Sequence, residues 1–283
     1  MLRDVLFILA AALLPAVGAA QQPRVGETYE ITMVQETSQK DSDGGGGSSH
    51  DKDTLVEKVI AVRPDGVELE YDLPKAVTAE ERASDWKFPA RVFKPNNGAL
   101  QLLNRDELEA RVDRWLKDAK WPRTVCGHWI FTWNAFQIDC DPESVIKIVQ
   151  AFDLRSADVR DGASYKEPEA LTAGTLTTKS SGPKGAIFTA AMPIDPDAVH
   201  RANAESDVVV GEIMKKPVTL EAAVRERSKE TVSGNIEVTL ETDANGRVWR
   251  RTRVTRLETK KPDGGSESQT VTQTLERKRI SGQ

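Results

Sequence analysis

The residue pattern predicts an α+β fold: one curved antiparallel β-sheet of long strands from both chain ends, with helices packed on one face. Three observations predict it. Apolar and polar residues alternate with period two near both ends. Apolar residues recur at helical spacing in the middle, and Gly, Pro and Asn-Gly punctuation separates the runs.

In chain order, Arg3 and the apolar residues 5–17, followed by Gly18, Ala19 and Ala20, read as a secretory signal peptide over 1–20. The apolar run is shorter than the ~20 residues of a spanning helix. Residues 21–283 then form a single α+β domain with no further transmembrane segment. Residues 27–72 read as β. Tyr29, Ile31 and Met33 alternate with polar neighbours, residues 55–62 repeat the pattern, and Val67, Leu69 and Tyr71 close a third strand after the Pro64-Asp65-Gly66 turn. The low-complexity stretch 41–53 between the first two strands is expected to be a mobile loop.

The middle, 86–153, is aromatic and helical, and nine of the chain's 16 Phe, Trp and Tyr residues fall between Trp86 and Phe136. Asn104 and Glu107 resemble a capping box, opening a helix whose face is Leu108, Val112, Trp115 and Ala119. Asp141-Pro142 opens a second helix with the stripe Val145, Ile148, Val149 and Phe152. The segment between them, 126–140, fits strand alternation and helical spacing almost equally, with a lean towards strand. Residues 155–193 look irregular apart from short strands. Asp195-Pro196 starts a helix over about 195–213, with a face of Val199, Ala202, Ser206, Val209, Val210 and Ile213 that is apolar only in its second half. From Glu221 a β-meander runs to 280, with Asn245-Gly246 as its hairpin turn. Similar strand–Gly loop–strand units over 31–60 and 252–280 suggest that the chain opens and closes with like hairpins.

Composition excludes some functions. A net charge of −5 argues against a general nucleic-acid binder. There is no G-x-S-x-G, H-E-x-x-H, Walker or Rossmann signature, and the three histidines, His50, His128 and His200, are far apart in sequence. The acidic Gly-rich stretch fails as a calcium loop because Lys52 occupies the bidentate-Glu position. No cofactor and no metal site is therefore expected.

Three sets of residues remain as candidates. Cys126 and Cys140 are the only cysteines, and in an exported chain they read as a disulfide rather than a metal pair or a catalytic thiol. Trp129, Trp133 and Phe136 could line a ligand pocket, although aromatic residues fill cores more often. Arg250, Arg251, Arg253 and Arg256 lie in a segment, 247–283, with ten Lys or Arg against four acids. They either form a patch for an anionic partner or pair with Glu237, Glu241 and other sheet neighbours. Being charged on both faces, their strand is expected at an edge or in a projecting hairpin. Together these features point to an exported, periplasmic or secreted, non-catalytic cell-envelope protein. It would bind an apolar small molecule, a lipid or an envelope protein through the concave face of its sheet. A hydrolase with a dispersed active site and a structural envelope protein are the alternatives.

Overall fold

The computed structural model describes residues 23–131, 135–155 and 159–280. The expected signal peptide over 1–20 and the candidate Trp133 therefore lie outside the described residues. Strands β1 (Thr28–Asp41), β2 (Gly46–Arg63) and β3 (Gly66–Asp72) are followed by the short helix α1 (Ala79–Ser84), β4 (Ala90–Pro95) and β5 (Gln101–Leu102). Then come α2 (Arg105–Asp118), a 3-10 turn (Arg123–Val125), the small hairpin β6 (Trp129–Phe131) and β7 (Ala135–Gln137), and α3 (Ser144–Ala151). The second half runs through β8 (Ser164–Tyr165), β9 (Gly174–Thr175), β10 (Thr177–Gly182), β11 (Gly185–Pro193), α4 (Pro196–Ile213) and α5 (Leu220–Arg227). It ends with β12 (Thr231–Thr242), β13 (Val248–Lys260) and β14 (Ser266–Arg279).

Ten strands form one antiparallel sheet in the order β10-β11-β12-β13-β14-β1-β2-β3-β4-β5, and the sheet does not close into a barrel. This is the α+β class that the alternation at both chain ends predicts. Helices pack on one face, where Ile31, Leu55, Val59 and Leu69 meet Leu108 and Val112 of α2 and Val145 and Val149 of α3. Further along that inner face lie Phe188, Met192, Ile236, Val238 and Leu240. The outer face needs no cover. Thr189, Thr239, Thr252 and Thr274 stand in one row across β11 to β14, flanked by ion pairs.

Several elements differ from the sequence expectation, each for a local reason. Residues 46–53 are strand, not loop: Gly46 pairs with Lys40, Gly47 with Gln39 and Asp53 with Met33. β1 is itself pinned by β14 over the same length, so a run of poor strand propensity gains a fixed template. Only a tight turn remains, in which Gly44 takes φ +89°, and Gly264 repeats it at φ +92° in the β13–β14 turn. β13 is neither an edge nor a projecting hairpin but an interior strand between β12 and β14. Helix α5 occupies residues expected to return to β. Thr219 caps it by accepting from the Ala222 N–H.

Helix α3 starts at Ser144, two residues later than Pro142 suggests. Asn104 precedes α2 without capping it. Its Oδ1 accepts from the Arg91 N–H and its amide donates to the Pro89 carbonyl, tying β4 to the helix. On α4 the buried positions are His200, Ala204 and Gly211, whereas Val210 is exposed, so the predicted face is rotated.

One backbone contact sets a test of the sheet's free edge. Gly185 in the β10–β11 turn has φ +134°, and a Cβ there would stand 1.9 Å from the Thr242 carbonyl oxygen of β12. Gly185→Ala is expected to lower the unfolding free energy by more than about 1 kcal/mol. An unchanged urea midpoint would show that this edge hairpin shifts without loss.

Candidate functional site

The inner face is not uniformly apolar. In β2 the residues Leu55, Glu57 and Val59 share that face, and Glu57 is only 1% exposed. The register sets Tyr29 of β1 on one side of Glu57 and Tyr71 of β3 on the other. Tyr71 donates to Glu57 Oε2 at 2.9 Å, while Arg277 of β14 and Arg155, in the loop after α3, donate to Oε1 at 2.6 and 2.7 Å. Arg277 also stacks over the Tyr29 ring, 3.6 Å from its centroid. Burial alone would raise the Glu57 carboxyl, but the two guanidiniums and the Tyr71 hydroxyl bring it down to about 2. Burial and the neighbouring Glu57 carboxylate push the Tyr71 phenol well up. Around this centre, Lys94 holds Asp153, and Arg247 stands 3.7 Å from Glu27.

Two cavities open on the inner face, the first bordered by Asp153 of this centre and the second beneath α4. The first, of about 330 Å³, is walled by Leu154, Leu240 and Val248 together with Tyr165, Glu167 and Arg251. The second, of about 230 Å³, lies between Ala198, Val199 and Ala202 of α4 and Leu257 and Val271 of the sheet. Between them Arg253 is bound to Glu169 at 2.8 Å and stands 3.8 Å from Glu167. The first cavity lies at the lower end of the ~300–1,000 Å³ usual for small-molecule sites.

Little here resembles catalytic machinery. His200 is buried and donates through Nε2 to the Glu230 carbonyl at 3.1 Å, and it lines neither cavity. His50 and His128 are exposed. Tyr165 donates to Glu167 at 2.6 Å, and burial raises its phenol further. Among the described residues no group of three His, Cys, Asp or Glu side chains could hold a metal ion.

The candidate residues fall in different places. Cys126 and Cys140 are joined in a disulfide. Trp129 and Phe136 belong to the β6–β7 hairpin and line neither inner-face cavity, and Phe136 is 41% exposed. Arg250 and Arg256 point outward. Arg250 lies 3.4 Å from Glu241 and 3.2 Å from Glu276, and Arg256 lies 3.1 Å from Glu237. Arg251 and Arg253 turn inward and reach one cavity each. Glu57, Arg155, Arg277, Tyr165 and Glu167 did not stand out in the sequence. The available signal was phase: Glu57 and Arg277 occupy the apolar phase of their strands, beside Leu55, Val59 and Leu275.

No protein-family model matches the chain, and no curated protein matches it. Among solved structures it is similar to lipovitellin, in a structure of its lipid–protein interactions, with 7% identity and a TM-score of 0.44. That match covers 92% of this chain but only 26% of lipovitellin, so the chain spans about a quarter of that protein's length. An outer membrane channel from Pseudomonas putida matches at 8% identity and TM-score 0.20, covering 94% of this chain and 99% of the channel. Ail, the attachment invasion locus protein of Yersinia pestis, matches at 4% and 0.16, covering 90% and 99%. None of the three reaches a TM-score of 0.5.

Proposed function

We propose that this chain is an exported, non-catalytic envelope protein that holds an apolar ligand between its helical layer and the inner face of its sheet. The observation that carries the reading is the pair of inner-face cavities, each with an aliphatic side beside polar groups: Leu154, Leu240 and Val248 in one and Val199, Leu257 and Val271 in the other. Most ionisable groups beside them are engaged with one another, as Asp153 is with Lys94 and Arg253 with Glu169, instead of being presented to a reacting centre. Export is supported by the apolar residues 5–17 and by a disulfide, which persists in oxidising compartments.

Native mass spectrometry of protein purified from the periplasm tests this. A bound apolar mass, released on unfolding, is the expected result, together with enhanced fluorescence of N-phenyl-naphthylamine on mixing with emptied protein. Protein that arrives empty and leaves the dye unchanged would end the proposal.

A further inference from the structure

Most cations and carboxylates on the inner face pair off among the described residues. Glu57 is held by Arg155 and Arg277, Asp153 by Lys94, and Glu169 by Arg253. Arg251 has no carboxylate within ion-pairing distance among the described residues. The register places it between Leu240 of β12 and Leu275 of β14, on the wall of the larger cavity. Its Nη2 donates to the Gln273 side-chain oxygen at 3.3 Å, and the Tyr165 phenol is its other polar neighbour; its Nε is buried without a hydrogen-bond partner, as are those of Arg250, Arg253 and Arg277. Glu167 shares the wall but takes the Tyr165 hydroxyl and stands 3.8 Å from Arg253. Exposed Lys166 adds a second cation at the rim, also without an ion pair among the described residues.

A partly buried guanidinium without a carboxylate partner gains from an anion that reaches its exposed edge. Its planar fork suits a carboxylate or phosphate, which it can meet with two parallel hydrogen bonds. Leu154, Leu240, Val248 and Pro168 give the wall an aliphatic side, beside the polar Ser164 and Asp153, the latter held by Lys94. We infer that the cavity beside Arg251 takes a single-chain amphiphile with an oxyanion head, the head on Arg251 and Lys166 and the chain along Leu240 and Val248. At about 330 Å³ the cavity suits one chain, not a two-chain lipid. This rests on the apolar-ligand reading and narrows it to an anionic class.

Dodecanoate, dodecyl phosphate and dodecanol, each below its micelle-forming concentration, are titrated calorimetrically into the lipid-stripped, disulfide-intact chain. Both anions are expected to bind at least about tenfold tighter than the alcohol, and the stronger of the two identifies the head. Arg251→Gln should bring the anions down to the level of dodecanol and leave dodecanol itself unchanged. Lys166→Gln should weaken the anions by a smaller factor. Equal binding of anions and alcohol by wild type, or a folded Arg251→Gln variant with undiminished anion affinity, overturns the inference while leaving an apolar carrier standing. No binding of any of the three removes both. Should Arg251→Gln fail to fold, Arg251→Lys keeps the charge without the fork. It is expected to lose most of the anion preference, and an undiminished preference in it also overturns the inference.

Discussion

Glu57→Gln is expected to lower the unfolding free energy by about 3–5 kcal/mol, because it leaves Arg155 and Arg277 as uncompensated charges under the helical layer. The substitution keeps the shape and an acceptor for Tyr71, so the loss reports charge and not a cavity. Adding Arg277→Gln should restore part of it, since the double variant buries one unmatched charge fewer. The same group sets an acid limit. Its folded pKa, about 2, lies below the ordinary value of 4.5, so its stabilisation is complete above about pH 4.5. It is lost as pH falls from there towards 2. Urea titrations of wild type at pH 7 and pH 3 should differ by more than those of Glu57→Gln. A midpoint shift worth under about 1 kcal/mol at pH 7 would mean that the cluster contributes little.

Cys140→Ser is expected to remove about 3 kcal/mol, the amount assigned to closing a loop of this length in the unfolded chain. The bond joins the residue after the 3-10 turn to one just before α3, and so encloses the β6–β7 hairpin. Inside that loop the Gly127 N–H donates to the Ile138 carbonyl at 2.7 Å, and the Ile138 N–H returns to His128 at 3.0 Å. Ile138 is 1% exposed, so loosening the loop reaches the core. Reduced wild type should melt with the serine variant. If reduced and oxidised protein melt together, the bond has no stabilising role.

Much of the fold could be read from residue order, and the exceptions share a cause. Alternation placed β1 to β3 and β12 to β14, and Asp195-Pro196 placed the start of α4, because these signals are local. The Gly-rich residues 46–53 misled because their strand conformation comes from a partner strand and not from their own propensity. The charged faces of β13 misled in the same way: Glu167 and Glu169 come from the connection between β8 and β9, far from Arg253 in sequence. The cavity walls were illegible for that reason too, since Leu154, Tyr165, Leu240 and Arg251 belong to separate segments. By contrast the disulfide was legible, because two cysteines allow only one pairing.

The pairing of β1 with β14 governs when the structure can exist. Every neighbouring pair in the large sheet joins strands consecutive along the chain except this one, and Glu57 meets Arg277 across 220 residues. Translation delivers β14 after every other strand of the sheet, so a nascent chain has an unfinished centre, with Glu57 lacking one of its two arginines. Such non-local closure is slow. In the exported protein proposed above, a slow final step would keep the polypeptide extended during passage across a membrane and leave completion of the sheet to the far side. The Ile280 N–H donates to the Thr28 carbonyl at 3.0 Å, so the two strands begin and end side by side. Joining them by a short turn and reopening the chain at a distant loop would convert the sheet into one uninterrupted meander, whose assembly no longer waits for the last segment to arrive.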